Sequence, residues 1–332
     1  DADAAIATGW VALKARLEAQ GSYFIKSPDY RLQGKGDQAT HKLFLERSYG
    51  LLMQKGRLAF VIPSGIYTDL GTKALREMLL NEGRIEYLYA FSNERWFFKG
   101  VHHSFKFVLL GAQKGETGDE FPAVFRFNPR VAVAPGELAS FLSQPANLVQ
   151  FQSSDIARFS PDSLSLMEFT TQDGLNIATK LYSVFPLLRD SSDQTWNVRL
   201  NNEFHMTNDR HLFSTVGGPI PVYNGRMLHQ FDAAFAPHEF WISDDHLNEL
   251  STETKTQIAK YRLGYRRIAR TTDAHTLIAA VVPPQTICDT VAVSESSEQP
   301  AHTTLFIAAV FNSLVLDFIL RLKIATTVNM FY

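Results

Sequence analysis

The sequence predicts an α/β domain followed by a mixed α+β domain, and three observations carry that prediction. Residues 37–91 alternate amphipathic helical stripes with continuous apolar runs, the pattern of a sheet with crossover helices. Beyond residue 162 short strand-like pieces alternate with polar turns instead. The chain has 332 residues, 45% hydrophobic and 20% charged, which is too apolar for disorder and long enough for two cores.

Taken in order, Asp37 to Met53 places Leu43, Phe44, Leu51 and Leu52 at helical spacing and ends near Gly56. The preceding Gly34-Lys35-Gly36 could let backbone amides approach an anion, but no strand leads into it, and Asp37 reads more economically as a helix N-cap. Leu58 to Ile62 is an unbroken apolar run stopped by Pro63, the pattern of a strand buried on both faces. Thr72 to Leu80 is a second amphipathic helix, stopped at Gly83, and Ile85 to Phe91 a second strand. Phe105 to Leu110 and Ala123 to Phe127, separated by the polar loop Lys114 to Asp119, suggest an antiparallel hairpin at the sheet edge. Residues 132–162 are rich in Ala, Ser, Pro and Gln and read as an interdomain crossing, which divides the chain into domains at 1–131 and 163–332. In the second domain Ile220 to Tyr223 and Leu277 to Val282 are strand-like, and Gly217-Gly218-Pro219 marks a turn.

Several functions are disfavoured. The single cysteine, Cys288, has no partner for a disulfide and no Cys or His at ligand spacing, so neither a disulfide framework nor a zinc module is expected. The longest apolar stretches are short or interrupted by Asn312, Ser313 and Asp317, and no membrane span is expected. Asp1 to Thr8 lack an initiator Met, a basic start and an apolar signal core, which points to a cytoplasmic setting. Adjacent His102 and His103 would point to opposite faces of a strand and could not chelate one ion. Glu253-Thr254-Lys255, with Asp244 and Asp245 upstream, resembles a nuclease element only by coincidence of polar residues.

Formal charge is only −2, but the charge is locally concentrated. From Lys255 to Arg270 there are six cations, no acidic residue between Glu253 and Asp273, and interleaved Tyr261 and Tyr265. A helical wheel groups Ile258, Tyr261, Tyr265 and Ile268, whereas Gly264 and the spacing of Arg262, Arg266 and Arg270 also allow a strand. Either way the segment is a candidate phosphate-facing surface, set against the commoner reading of a solvated face.

The order of the blocks carries a family resemblance. Lys42 to Arg47, then Gly56-Arg57-Leu58-Ala59-Phe60-Val61-Ile62-Pro63-Ser64, then Thr72 to Leu80, Ile85 to Phe91 and the hairpin around Phe98-Lys99-Gly100-Val101 resemble the segment after the catalytic motif in adenine-N6 DNA methyltransferases of the type IIG restriction-modification and phage-defence kind. Thr207-Asn208-Asp209 with Leu212-Phe213, Pro221 to Asp232, Arg262 to Pro284 and Leu305 to Lys323 resemble the target-recognition domain of the same families.

That resemblance implies the later part of a Rossmann-like, S-adenosylmethionine-dependent sheet, then a DNA target-recognition domain. It implies methyl transfer to N6 of an adenine rotated out of duplex DNA. The Asn-Pro-Pro-aromatic motif and the glycine-rich cofactor motif are absent; Pro283-Pro284 is the only Pro-Pro pair. A fragment is therefore expected, with no catalytic residues of its own, inactive alone, and partnered by the missing N-terminal part of the methyltransferase or by self-association through exposed strand edges. The resemblance places Phe98, or its neighbour Phe97, against the extruded base, with Pro63 and Ser64 lining the pocket. It implies DNA contacts from Lys260, Arg262, Arg266, Arg267, Arg270, Arg226 and Gln230, with Asn312, Arg321 and Lys323 as a second edge. The alternative reading is a non-catalytic DNA specificity subunit, against which residues 37–111 look like methyltransferase sheet.

Overall fold

The computed structural model describes residues 2–33, 38–94, 97–127, 135–189, 196, 198–288, 290–294, 301–324 and 327–328. The chain divides into two compact units, Asp1–Lys180 and Leu181–Tyr332. Residues 149–159, inside the stretch expected to be a crossing, form a strand and a helix of the first unit, so the division falls later than composition suggested. The Gly34 to Asp37 segment lies outside the described residues.

The first unit is a mixed α/β sheet. Its helices include α1 (Ala2–Lys26), α2 (Thr40–Leu51), α3 (Gly65–Thr68) and α4 (Lys73–Asn81), and further helices span Leu138–Leu142 and Ser153–Phe159. Its strands are β1 (Arg57–Pro63), β2 (Gly83–Ser92), β3 (Lys106–Lys114), β4 (Glu120–Phe127) and β5 (Val149–Gln152), in the order β1-β3-β2-β4-β5. β3 runs antiparallel between β1 and β2, and β4 is parallel to β2. The expected hairpin of β3 with β4 is therefore corrected: β3 pairs back onto β2, and β4 lies on the far side of β2. A hairpin around residues 98–101 is present, as the β2–β3 turn.

β1 is also corrected, from a strand buried on both faces to an edge strand buried on one. Ile62 is buried and Leu58 and Phe60 half-buried, while Ala59, Val61 and Pro63 are exposed on the opposite face. The physical reason is that among the described residues β1 pairs only with β3, and period-2 alternation puts every second side chain where no described layer covers it. Phe44, Leu51 and Met53 of the adjoining α2 region are exposed as well. The helix α1 was not anticipated, although its Ala- and Leu-rich composition favours helix. It leaves Ile6, Trp10, Val11 and Leu17 exposed.

In the second unit, β6 (Leu200–Asn201), β10 (Arg262–Arg266), β11 (Ala279–Val282) and β13 (Val291–Ser294) form an antiparallel sheet ordered β11-β10-β13-β6. A second sheet, ordered β12-β8-β9-β7, joins β7 (Phe213–Ser214), β8 (Ile220–Tyr223), β9 (Phe240–Ile242) and β12 (Ile287–Cys288). Strand alternation sorts the first sheet into two apolar faces. Leu263, Tyr265, Ala279 and Ala292 pack with Ile307, Phe311 and Leu320 of the helices Ala301–Phe311 and Leu314–Lys323. Ala280, Val282, Val291 and Val293 pack instead with Tyr223, Met227 and Leu228. No single helix is long and apolar enough to cross a membrane among the described residues, and the bent helix pair is built onto the sheet.

Candidate base pocket and nucleic-acid interface

Because β1 and β2 run parallel with β3 reversed between them, the loops 64–72 and 93–105 leave the same end of the sheet. This is the carboxyl end of β1 and β2, where ligands gather in open α/β sheets. Register then assembles the aromatic edge. Phe107 pairs with Pro63 on one side and Phe91 on the other, so the three side chains share a face. Phe91 stacks on Phe107 at 5.4 Å between ring centroids, and Phe97 and Phe98 meet Phe107 edge-on at 5.7 and 5.1 Å. Ser64 follows Pro63 and donates its backbone N–H to the Lys106 carbonyl at 3.1 Å. Pro63, Ser64, Phe97 and Phe98 are thus brought to one edge, and both phenylalanines remain substantially exposed.

Residues that sequence reasoning did not single out hold this edge in place. The buried Asn93 side chain donates to the carbonyls of Phe98 at 3.0 Å and Val101 at 2.8 Å and accepts from the Phe98 N–H at 3.0 Å. Lys106 Nζ bonds both oxygens of buried Glu168 at 2.7 Å, and the Tyr67 hydroxyl donates to the same carboxylate at 2.9 Å. Arg76 donates to the Ile66, Asp69 and Ser163 carbonyls and to the Thr72 hydroxyl, pinning the loop after β1. Burial pulls its guanidinium down to about 10, with Asp69 and Glu77 opposing, so it remains charged at neutral pH. Glu168 lies 62 residues from Lys106, and nothing local in the sequence announces that pairing.

His102 and His103 sit in the loop between β2 and β3, not on a strand, and their rings lie 4.3 Å apart with a 34° tilt. The opposite-faces argument therefore does not apply to them. Among the described residues no group of three or more His, Cys, Asp or Glu is placed to hold a metal ion.

In the second unit the basic segment is a helix, Thr252–Ile258, followed by β10, which resolves the helix-or-strand question in favour of both in succession. Tyr265 is buried while Tyr261 and Ile268 are exposed, so the helical wheel grouping fails. Several side chains expected to contact DNA are engaged within the protein. Arg262 is fully buried, ion-paired with Glu203, and donates to the Thr286 carbonyl at 2.6 Å. Asn312 donates to the Ala279 carbonyl at 2.8 Å and accepts from its N–H at 3.1 Å. Arg321 is bound to Asp317 and to the carbonyls of Thr271 and Ala274. Lys323 is buried with its ammonium over the Tyr182 ring at 5.4 Å, and burial draws it down to about 8. Arg262 and Lys323 are placed inward, and Asn312 and Arg321 are half-buried with their polar groups bonded within the protein.

The cations that remain at the surface are Lys260, Arg270 and Arg226, with Arg266 and Arg267 half-buried. Arg226 pairs with Glu239 at 3.0 Å on the surface. Its neighbour Gly225 packs against Arg266: a Cβ there would meet Arg266 Cγ at 3.7 Å. Arg226 and Arg266 are therefore brought together, while Lys260 lies beyond the other end of β10. Gln230 is half-buried and donates to the Asn312 carbonyl at 3.4 Å.

With this geometry described, comparison with known proteins adds the following. Residues 18–97 match the family model described as Eco57I restriction-modification methylase. The match spans α2, β1, α4 and β2 and reaches Phe97. Among solved structures, the type IIG restriction endonuclease BpuSI is similar over 92% of this chain and 41% of its own at 14% identity, with a TM-score of 0.33. The type IIL restriction-modification enzyme MmeI in complex with DNA is similar over 88% and 40% at 10% identity, with a TM-score of 0.49. The methyltransferase subunit of a type I restriction-modification system from Streptococcus thermophilus is similar over 43% and 33% at 16% identity, with a TM-score of 0.34. This chain spans between 33% and 41% of those chains. Comparison with curated proteins finds no match.

Proposed function

We propose that this chain is part of a site-specific adenine-N6 DNA methyltransferase of a restriction-modification or phage-defence system. The observation that carries the reading is the methylase match over residues 18–97, which ends at the aromatic edge formed by Pro63, Phe97, Phe98 and Phe107. Exposed rings at the carboxyl end of a parallel strand pair suit stacking on an adenine rotated out of the duplex. The second unit is the DNA reader, with Arg226, Arg266, Arg267 and Arg270 taking phosphates and Gln230 near the groove.

The methyl group comes from S-adenosylmethionine in this reading. At that end of the sheet the described residues Pro63 and Ser64 stand beside the aromatic edge, and the Asp69 carboxylate accepts from the Thr68 hydroxyl at 2.9 Å. They serve as a wall, and holding the cofactor falls to a strand-bearing portion of the methyltransferase that pairs with the free edge of β1. In this chain Phe97 and Phe98 stack and exclude water, while Asn93, Lys106 and Glu168 fix their loop.

The test has two arms. Short duplex DNA titrated against the 332-residue chain at two salt concentrations should show affinity that falls steeply with salt. DNA from cells expressing the complete gene should yield N6-methyladenine on nucleoside analysis. Recovery of N4-methylcytosine would refute the adenine assignment, and a folded chain that ignores duplex DNA at low salt would refute the reader.

A further inference from the structure

The segment Asn224 to Phe235 crosses the face of the first sheet of unit 2 that carries Val282 and Val291, and it buries Met227 and Leu228 there. It then does something unusual for an apolar residue. His229 and Asp232 exchange backbone hydrogen bonds of 2.7 and 3.0 Å, closing a tight turn with Gln230 and Phe231 at its tip. Phe231 adopts φ 62, a left-handed conformation that is strained for a bulky residue and that Gly or Asn takes readily. Its ring gains no burial in return, because 66% of the residue is exposed. Phe235, also exposed, packs on the His229 ring at 4.7 Å beside it.

The turn is bolted down from below. The Phe231 N–H donates to the Ala279 carbonyl at 3.0 Å, and Gln230 donates to the Asn312 carbonyl. Asn312 in turn grips both the N–H and the carbonyl of Ala279, so β11 and the break between the last two helices form one base for the turn. The same base is next to the surface cations. Arg266 donates its N–H to the carbonyl of Ile278, the residue before Ala279, and the Phe235 N–H bonds the Met227 carbonyl beside Arg226.

We propose that Phe231 is a wedge that inserts against a base step of duplex DNA, with Arg226 and Arg266 on the flanking phosphates. The proposal rests on the reading of unit 2 as a DNA reader and assigns it a contact that no resemblance supplied. A strained, rigidly held, solvent-exposed ring suits base stacking with partial unstacking of the duplex, and Arg226 and Arg266 lie on the segments that carry and support its turn. An apolar protein patch would need a broad greasy surround, whereas Asp232, Arg226 and Glu239 surround this turn with charge.

The test uses the 332-residue chain and a short mixed-sequence duplex carrying 2-aminopurine, whose fluorescence rises on unstacking. Phe231→Asn removes the ring while keeping the turn, because Asn tolerates a left-handed backbone. It should weaken binding about tenfold, as loss of one base stack does, and leave the salt dependence unchanged because no phosphate contact is removed. The 2-aminopurine rise should disappear, and Tm should stay level or increase as strain is relieved. Phe231→Trp should bind as the parent does. If the parent binds DNA and Phe231→Asn binds equally well with the same fluorescence rise, the wedge is refuted while the DNA reader stands. If the parent itself does not bind, both fall.

Discussion

Replacing Arg262 by Ala separates the structural from the DNA-binding reading of the basic segment. The guanidinium is fully buried in β10, ion-paired with Glu203, and bonded to the Thr286 carbonyl at 2.6 Å. Truncation leaves a carboxylate that is only 8% exposed without its countercharge, together with an orphaned carbonyl and a cavity. Breaking one side of a buried pair costs about 3–5 kcal/mol. At roughly 2–4 °C per kcal/mol for a unit of this size, Tm of the second unit should fall by roughly 6–20 °C. Calorimetry gives the stability, and duplex titration below the lowered Tm gives the affinity per folded molecule. The salt slope should be unchanged, since a buried cation touches no phosphate. Arg262→Met combined with Glu203→Leu should recover much of the stability, because apolar replacement of a whole buried pair is often neutral. A variant with parental Tm and a slope reduced by about one would show that Arg262 faces DNA and that the inward placement is wrong.

Other outcomes follow from the same geometry. Lys323 has a native value of about 8, below its usual 10.5, so between those values the unfolded chain binds the extra proton and stability rises with pH. Burial pushes Tyr182 and Tyr265 upward, so their contribution is lost above about pH 10. The second unit should therefore gain on the order of 2–3 kcal/mol between about pH 8 and 10 in urea titrations, and Lys323→Met should abolish that gain. Asn93→Ala removes three hydrogen bonds that fix the aromatic loop, and amide exchange at Phe98 should quicken by the equivalent of about 1–3 kcal/mol. A charge placed on the open β1 edge, Val61→Lys, should reduce self-association in sedimentation; a parent chain that sediments as a clean monomer would dispose of that edge as a contact surface.

The pattern of apolar residues located most elements of the first unit, because helical and strand periods differ enough to be told apart. β1, α4, β2 and β8 lie within a residue or two of the expected bounds. Which strands pair was not legible in the same way. The strand after the aromatic loop returns between β1 and β2, an outcome of three-dimensional packing that leaves β4 across the sheet from its neighbour in sequence. The aromatic edge was partly legible: Pro63, Ser64, Phe97 and Phe98 were named from family blocks, and Phe107, which joins them, was not.

What the sequence determined alone was composition and period: helical and strand-like blocks in the first part, shorter strand-like pieces in the second, and a cluster of cations there. Charge says that a side chain is basic, not which way it points. β10 lies inside its sheet with both faces covered, so Arg262 is buried against Glu203, while past the strand's end Arg267 is half-buried and Arg270 exposed. Asn312 and Arg321, equally polar in the sequence, are consumed by carbonyls that the helix break and the strand ends leave open. Only the tertiary structure decides such assignments, because a buried polar group must find its partner wherever the chain brings one.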